Sequence, residues 1–162
     1  MSIDRMKNVN LKVTRLLQQE DLPFDLLLLA DETVEAIGKY IYDSEVYVAK
    51  ADACPNVLAT FVLQKITEKE IEIKNIAVAK PFQNKGIGSY MIGEIRRIAS
   101  EVNYDYVIVG TPDSSARQIS FYQKNGFTKF AVRENFFTEN YPQPIIENGI
   151  ALKDMVMLRM EI

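Results

Sequence analysis

The run Gln83-Asn84-Lys85-Gly86-Ile87-Gly88-Ser89 has the residue types and spacing to hold an anion. Gly86 and Gly88 lack a Cβ, so the backbone there can take angles closed to other residues and a ligand can come close to the main chain. The run opens a segment in which Ile87, Met91, Ile95 and Ile98 share one helical face. The first amides of a helix have no acceptor inside it and lie at the positive end of its dipole. A helix that begins in this way suits a phosphate group. The amides from Lys85 through Ser89 are the expected donors, with Gln83 and Asn84 shaping the entry. The Lys85 ammonium and the Ser89 hydroxyl add donors at the same place.

The letters discriminate between phosphate ligands. A nucleotide P-loop needs G-x-x-x-x-G-K-[ST], which the chain lacks. A dinucleotide fingerprint needs a third glycine where Met91 stands, and an acidic ribose partner further along than Glu101 or Asp105. What remains is [Gln/Arg]-x-x-Gly-x-[Gly/Ala] after an apolar strand, filled by Gln83, Gly86 and Gly88. The chain has no histidine, which excludes Ser-His-Asp hydrolysis, Cys-His chemistry and His-ligated zinc. Cys54, the single cysteine, has no imidazole to activate it and no partner for an intrachain disulfide, which fits a reducing compartment. Proton transfer falls to carboxylates, tyrosine, lysine, backbone or water, and no metal is expected.

The loop pattern and a second motif, F-Y-Q-K-N-G-F over Phe121–Phe127, resemble those of the GNAT superfamily of N-acetyltransferases. The resemblance runs from Val46 to Phe130 and is weaker toward both ends. It implies acetyl-CoA as co-substrate, with its diphosphate on the loop. It also implies a central strand splayed from its neighbour, whose opened edge takes the pantetheine arm much as a sheet takes an added peptide. The amides of Ile76, Ala77 and Val78 are then the oxyanion donors. Tyr122 matches the family tyrosine that protonates the leaving thiolate. Glu72 lies in the strand where some members carry the basic carboxylate, and a carboxylate buried among apolar neighbours titrates closer to neutrality. A water chain could replace it, and Asp31 or Glu35 are acceptor-side alternatives. Members often have Asn and Ala where this chain has Ser115 and Gln118. Ser115 could still bond the pantetheine, whereas Gln118 could shift the helix near the thiol. In this family the first two helices border the acceptor pocket, which makes Tyr40, Tyr42 and Asp43 candidates beside their plainer reading as core and surface residues.

Holding these groups requires a sheet. Period-two patterning and turn residues predict strands over Val9–Leu17, Glu45–Lys50, Leu58–Ile66, Glu70–Val78, Tyr104–Gly110, Phe127–Phe137 and Lys153–Ile162. Pro81 ends the fourth strand and starts the turn into the loop. Helices are predicted from Asp21 to Ala30, from Asp31 onward with Val34, Ile37 and Ile41 on one face, from the glycine loop to Val102, and over Ser115–Asn125. Gly126 is the stop of the last. Ile71 and Ile73 differ in parity from Ile76 and Val78, which predicts a bulge near Lys74-Asn75. The expected fold is α/β: a mixed, mostly antiparallel central sheet of about seven strands, helices on both faces and a splayed central pair. The segment from Glu139 to Gly149 is long for a connection, and either folds over the acceptor pocket or packs on a second subunit.

A chain of 162 residues with 48% hydrophobic and 25% charged residues suits a single soluble acetyltransferase-like domain over 1–162. The net charge of −3 without a long basic run argues against nucleic acid, and weakly favours a cationic acceptor such as a polyamine or aminoglycoside. No apolar run is long enough for a bilayer, and the N-terminus lacks a signal-peptide core, so a cytoplasmic location is expected. An exposed sheet edge or the late loop could support a homodimer. The functional reading is acetyl transfer from acetyl-CoA to an amine of a small molecule or peptide. A non-catalytic acyl-CoA-binding sensor and an unrelated nucleotide-binding domain are the competing readings.

Overall fold

A computed structural model describes residues 10–18, 20–52 and 54–162, which fall into two compact units. Val9, where the first strand was expected to begin, and the N-terminal segment lie outside the described residues.

The first unit comprises the chain to Gln64 together with Lys74–Arg97. Strands β1 (Leu11–Arg15), β2 (Glu45–Ala51) and β3 (Cys54–Lys65) pair antiparallel in sequence order. Between β1 and β2 lie two short helices, α1 (Phe24–Ala30) and α2 (Val34–Gly38), and a 3-10 turn over Ile41–Asp43. Thr33 caps α2, its hydroxyl accepting from the Ala36 amide at 3.0 Å. The helix stops at Gly38, the weak spot in its pattern. Leu27, Ile37, Tyr40, Ile41, Val46 and Val62 form a buried cluster that fastens these helices to the sheet.

The second unit comprises Lys65–Ile73 and Ile98–Ile162. Here the start of β4 (Glu70–Val78) runs parallel to β5 (Tyr106–Pro112), with Glu70–Ile73 opposite Tyr106–Val109. Strand β9 (Met155–Glu161) pairs antiparallel with β5 on one side and with β6 (Thr128–Arg133) on the other. Helix α4 (Ala116–Lys124) ends at Gly126, whose φ of +97° only glycine adopts without strain. The Phe127 amide folds back onto the Tyr122 carbonyl at 3.0 Å.

The hydrogen-bonded order is β1-β2-β3-β4-β5-β9-β6, a seven-stranded, mostly antiparallel sheet as expected. The parallel register of β4 and β5 covers four positions of strands nine and seven residues long. Beyond Val109, Gly110–Pro112 continue only in register with β9. Helix α3 (Ile87–Val102) buries the predicted Ile87, Met91, Ile95 and Ile98, and also Ile92 and Ala99.

Three expectations change. The buried residues of β4 are Ile71, Glu72, Ile73, Asn75 and Ala77, so beyond Lys74 the buried positions are Asn75 and Ala77 rather than the expected Ile76 and Val78. Ile76 and Val78 are half-buried on the other face. The sixth strand ends at Arg133 rather than Phe137, because Asn135 turns left-handed at φ +57° and a short helix α5 (Phe136–Asn140) begins. The supposed long loop carries that helix and a hairpin, β7 (Ile146–Glu147) with β8 (Ile150–Ala151). Asn148 and Gly149 form its turn, both at positive φ, the Asn-Gly pair that two-residue hairpins favour.

Candidate active site

In the first unit the chain leaves β4 at Val78, passes a 3-10 turn over Lys80–Phe82 and enters α3 through Gln83–Gly86. Asn84 at φ +61° and Gly86 at φ +84° are both left-handed. Asparagine tolerates that region better than other residues with a side chain, and glycine needs no tolerance. A Cβ built on Gly86 would meet nothing within 4 Å, so this glycine is required for its backbone angle and the space above it is open. Gly88 has no positive φ and lies in the first turn of α3. Gln83, Asn84, Gly86 and Ser89 are exposed, and Lys85 and Gly88 are half-buried. Ile87 is buried and anchors the helix start.

The Gln83 side chain donates to the Val78 carbonyl at 2.9 Å, tying the loop back to the end of β4. Its role is internal bracing, which brings the loop amides next to the strand that carries Ile76, Ala77 and Val78. The Lys85 ammonium lies 5.9 Å from the Phe82 ring centroid. No acidic residue occupies the first turn of α3 to compete for the amides. An exposed, left-handed entry into a long helix can take an anion.

In the second unit Glu72 is buried at 5% exposure in β4, opposite Ile108 of β5. Tyr122 shares a face of α4 with the buried Ile119, three residues before it. The Tyr122 ring meets Phe121 and Phe127 edge-on, at centroid distances of 5.2 and 5.4 Å. Burial pushes its phenol well above the ordinary tyrosine value. The group is therefore protonated throughout the neutral range and has a proton to give. Ser115 is the residue before α4, and its hydroxyl makes no capping bond. Gln118, where family members often have Ala, accepts a hydrogen bond from the buried Thr111 hydroxyl at 2.6 Å. That bond ties α4 to β5.

The acceptor-side candidates separate. Tyr42, Asp43 and Glu35 are exposed. Tyr40 is buried and linked at both ends of a polar chain that sequence reasoning missed. Its hydroxyl donates to Asp31 Oδ2 at 3.2 Å and accepts from Asn75 Nδ2 at 3.1 Å. Asn75 Nδ2 also donates to the Leu27 carbonyl at 2.9 Å. Burial pushes the Tyr40 phenol up, the Asn75 hydrogen bond opposes this, and the Asp31 carboxylate adds to it. Asn75 Oδ1 is buried without a hydrogen-bond partner, a state that costs about 1–3 kcal/mol. The sequence signal was available: a polar Asn in the buried phase of an apolar strand. Elsewhere in this unit a cleft of about 290 Å³ opens at the start of α1, lined by Leu22, Pro23, Phe24, Asp25, Leu26 and Val57. Among the described residues no group of three or more His, Cys, Asp or Glu side chains could hold a metal, and no helix is long and apolar enough to cross a membrane.

Comparison with known proteins matches this pattern. The model of the acetyltransferase (GNAT) domain matches residues 42–129. An uncharacterized N-acetyltransferase, YvbK, of Bacillus subtilis (strain 168) is 36% identical over 145 residues, covering 90% of this chain and 92% of the relative. The crystal structure of a GNAT family acetyltransferase from Elizabethkingia anophelis with acetyl-CoA bound is 40% identical, with a TM-score of 0.89 over 94% of this chain and 99% of that one. A Bacillus subtilis acetyltransferase in complex with CoA is 35% identical, with a TM-score of 0.85 over 94% and 99% of the two chains. A glycine-gated helix start after β4, a tyrosine before Gly-Phe and this sheet order therefore have one explanation: the chain belongs to the GNAT family of acetyltransferases.

Proposed function

We propose that residues 1–162 act as a single acetyltransferase domain that moves the acetyl group of acetyl-CoA directly to a neutral amine of a small molecule or peptide. The observation that carries this reading is the exposed, left-handed entry into α3, whose amides are suited to the diphosphate of CoA. The amides of Lys85 through Ser89 hold the diphosphate. Ser115 bonds the pantetheine arm, and the amides of Ile76 to Val78 receive the carbonyl oxygen as it becomes an oxyanion.

The amine nitrogen attacks the thioester carbon, and its proton leaves to Glu72, directly or through water. The C–S bond then breaks, and Tyr122 gives its proton to the departing thiolate. An amine of pKa near 10 is almost wholly charged at neutral pH, which is why the base is needed. The substrate is a small-molecule or peptide amine rather than nucleic acid or a membrane, and a cytoplasmic location goes with the reading. The exposed edge strand β6 offers a surface for a homodimer.

Free-thiol release from acetyl-CoA with spermidine, tyramine, kanamycin and a peptide with a free N-terminus tests the reading. Release that depends on one of these amines supports it. CoA binding by calorimetry without release for any amine favours the alternative of a non-catalytic acyl-CoA sensor.

A further inference from the structure

The far end of β5 carries a feature that no role above uses. Ile108 stands opposite Glu72 of β4, and Gly110 stands opposite Met157 of β9. Paired residues share a face, and so do residues two apart on one strand. Glu72, Ile108, Gly110, Met155 and Met157 therefore lie on one side of the sheet. Along that side Ile108 is buried, whereas Gly110 and Met155 keep accessible surface. A Cβ built on Gly110 would overlap Met155 Sδ and lie 3.1 Å from Met157 Sδ. Two thioethers thus lie over bare main chain. Gly110 is also the first residue of β5 past its register with β4.

The other side of β5 carries the second half of the proposed chemistry. Thr111, the next residue, faces away from Gly110, and its hydroxyl donates to Gln118 of α4 at 2.6 Å. Helix α4 carries Tyr122, the acid proposed for the leaving sulfur. Proposed base and proposed acid thus belong to opposite sides of one sheet. A thioester served by both has its sulfur toward the α4 side and its acyl group toward the Glu72 side. There, Gly110 lies two residues beyond Ile108, the partner of Glu72, a step of roughly 7 Å along the strand. Thioethers are apolar, polarizable and adaptable, which suits an alkyl group rather than a phosphate or an ammonium ion.

We infer that Gly110, Met155 and Met157 seat the acyl group of the CoA ester, and that Met155 sets the length of chain transferred. The bare main chain at Gly110 gives the acyl group room, and the thioethers wall off its far end. Met157 is fixed at 2% exposure, so the wall that can be moved is Met155. The inference rests on the transferase reading and deepens it by naming the donor class, acetyl over longer acyl chains.

The test uses the full chain with acetyl-, butyryl- and hexanoyl-CoA, and whichever of the four amines above is turned over fastest. In the wild type, kcat/KM for acetyl-CoA exceeds that for butyryl-CoA by about tenfold or more. In Met155→Ala the ratio of butyryl to acetyl rises by about tenfold, while affinity for CoA itself holds within about twofold. Met155→Val, which keeps a good strand former in β9, moves the ratio the same way by less. Gly110→Ala puts a methyl under Met155 and raises KM for acetyl-CoA without weakening CoA. Calorimetry with the three esters and no amine reads the same order by affinity relative to CoA, without turnover. The inference is overturned if the folded Met155 variants keep the wild-type order of acyl chains, or if CoA itself changes by the same factor as its esters. It is also overturned if the wild type takes hexanoyl-CoA as well as acetyl-CoA. A wild type that releases no thiol defeats the transferase reading instead, and the affinity order then decides the acyl seat.

Discussion

The α3 entry and the Asp31–Tyr40–Asn75 chain are opposite ways of arranging polar groups. The first is made of backbone: exposed, left-handed at Asn84 and Gly86, with the Gln83 side chain spent on bracing. The second is made of side chains: buried at Tyr40 and Asn75, half-buried at Asp31, and ending in an oxygen without a partner. A backbone site depends on what residues lack, so it tolerates many side chains but few that change φ. A side-chain site depends on each atom in the relay. The contrast teaches where specificity can reside. Backbone amides can recognise only what every phosphate-bearing ligand shares, so finer discrimination needs side chains.

Substitutions can break this contrast in order of size. Tyr122→Phe removes the proposed proton donor while keeping the ring packing against Phe121 and Phe127, so kcat should fall by about 100-fold or more while CoA affinity holds. Equal kcat in the variant would mean the phenol is only packing. Gly86→Ala comes next, because a methyl projects into the open space above the loop and φ +84° strains any residue with a Cβ. CoA affinity by calorimetry should fall by about tenfold, with about 1 kcal/mol of lost stability. A change in stability without a change in affinity would deny the loop its ligand.

A pH titration sharpens the same division. Burial raises the phenols of Tyr122, Tyr40 and Tyr47 in the folded state, Tyr47 with help from a hydrogen bond to Glu45. Their contribution is therefore complete below the unfolded tyrosine pKa of about 10 and is lost as pH rises above it. Denaturant midpoints should hold flat from neutrality to about pH 10 and then drop. Tyr122→Phe should make that drop shallower. The smallest effect belongs to Gly149→Ala in the β7–β8 turn, where φ is +76° and space is open. It should lower Tm by a few degrees, roughly 2–4 °C per kcal/mol of lost stability, with no kinetic change.

The legibility of these regions follows the same physics. Strand β4 was readable to the residue, because its β-branched run is bounded by a charged turn and by Pro81. The α3 face was readable from its period. Helix α4 and its Gly126 stop were readable from turn chemistry. The hairpin at Ile146–Ala151 was missed although Asn148-Gly149 announces it, because the flanking strands are two residues each and show no alternation. The left-handed Asn84 was hidden by attention to the glycines beside it. Asn75 and the Thr111–Gln118 bond were missed for a deeper reason: the partners of Asn75 at Leu27 and Tyr40 are set by tertiary packing, which no local pattern encodes.

Strand β6 ends the hydrogen-bonded order, and all six of its residues are exposed, Phe130 and Val132 among them. An outermost strand of this kind is a template on which another chain can lay itself down. Here cations stand guard: Lys129 and Arg133 bracket the apolar pair, and the Arg159 guanidinium lies 5.0 Å from the centre of the Phe130 ring, screening it. Charge on this rim therefore discourages open-ended stacking of strands, and a copy that pairs here has to meet Lys129 and Arg133 with acidic groups.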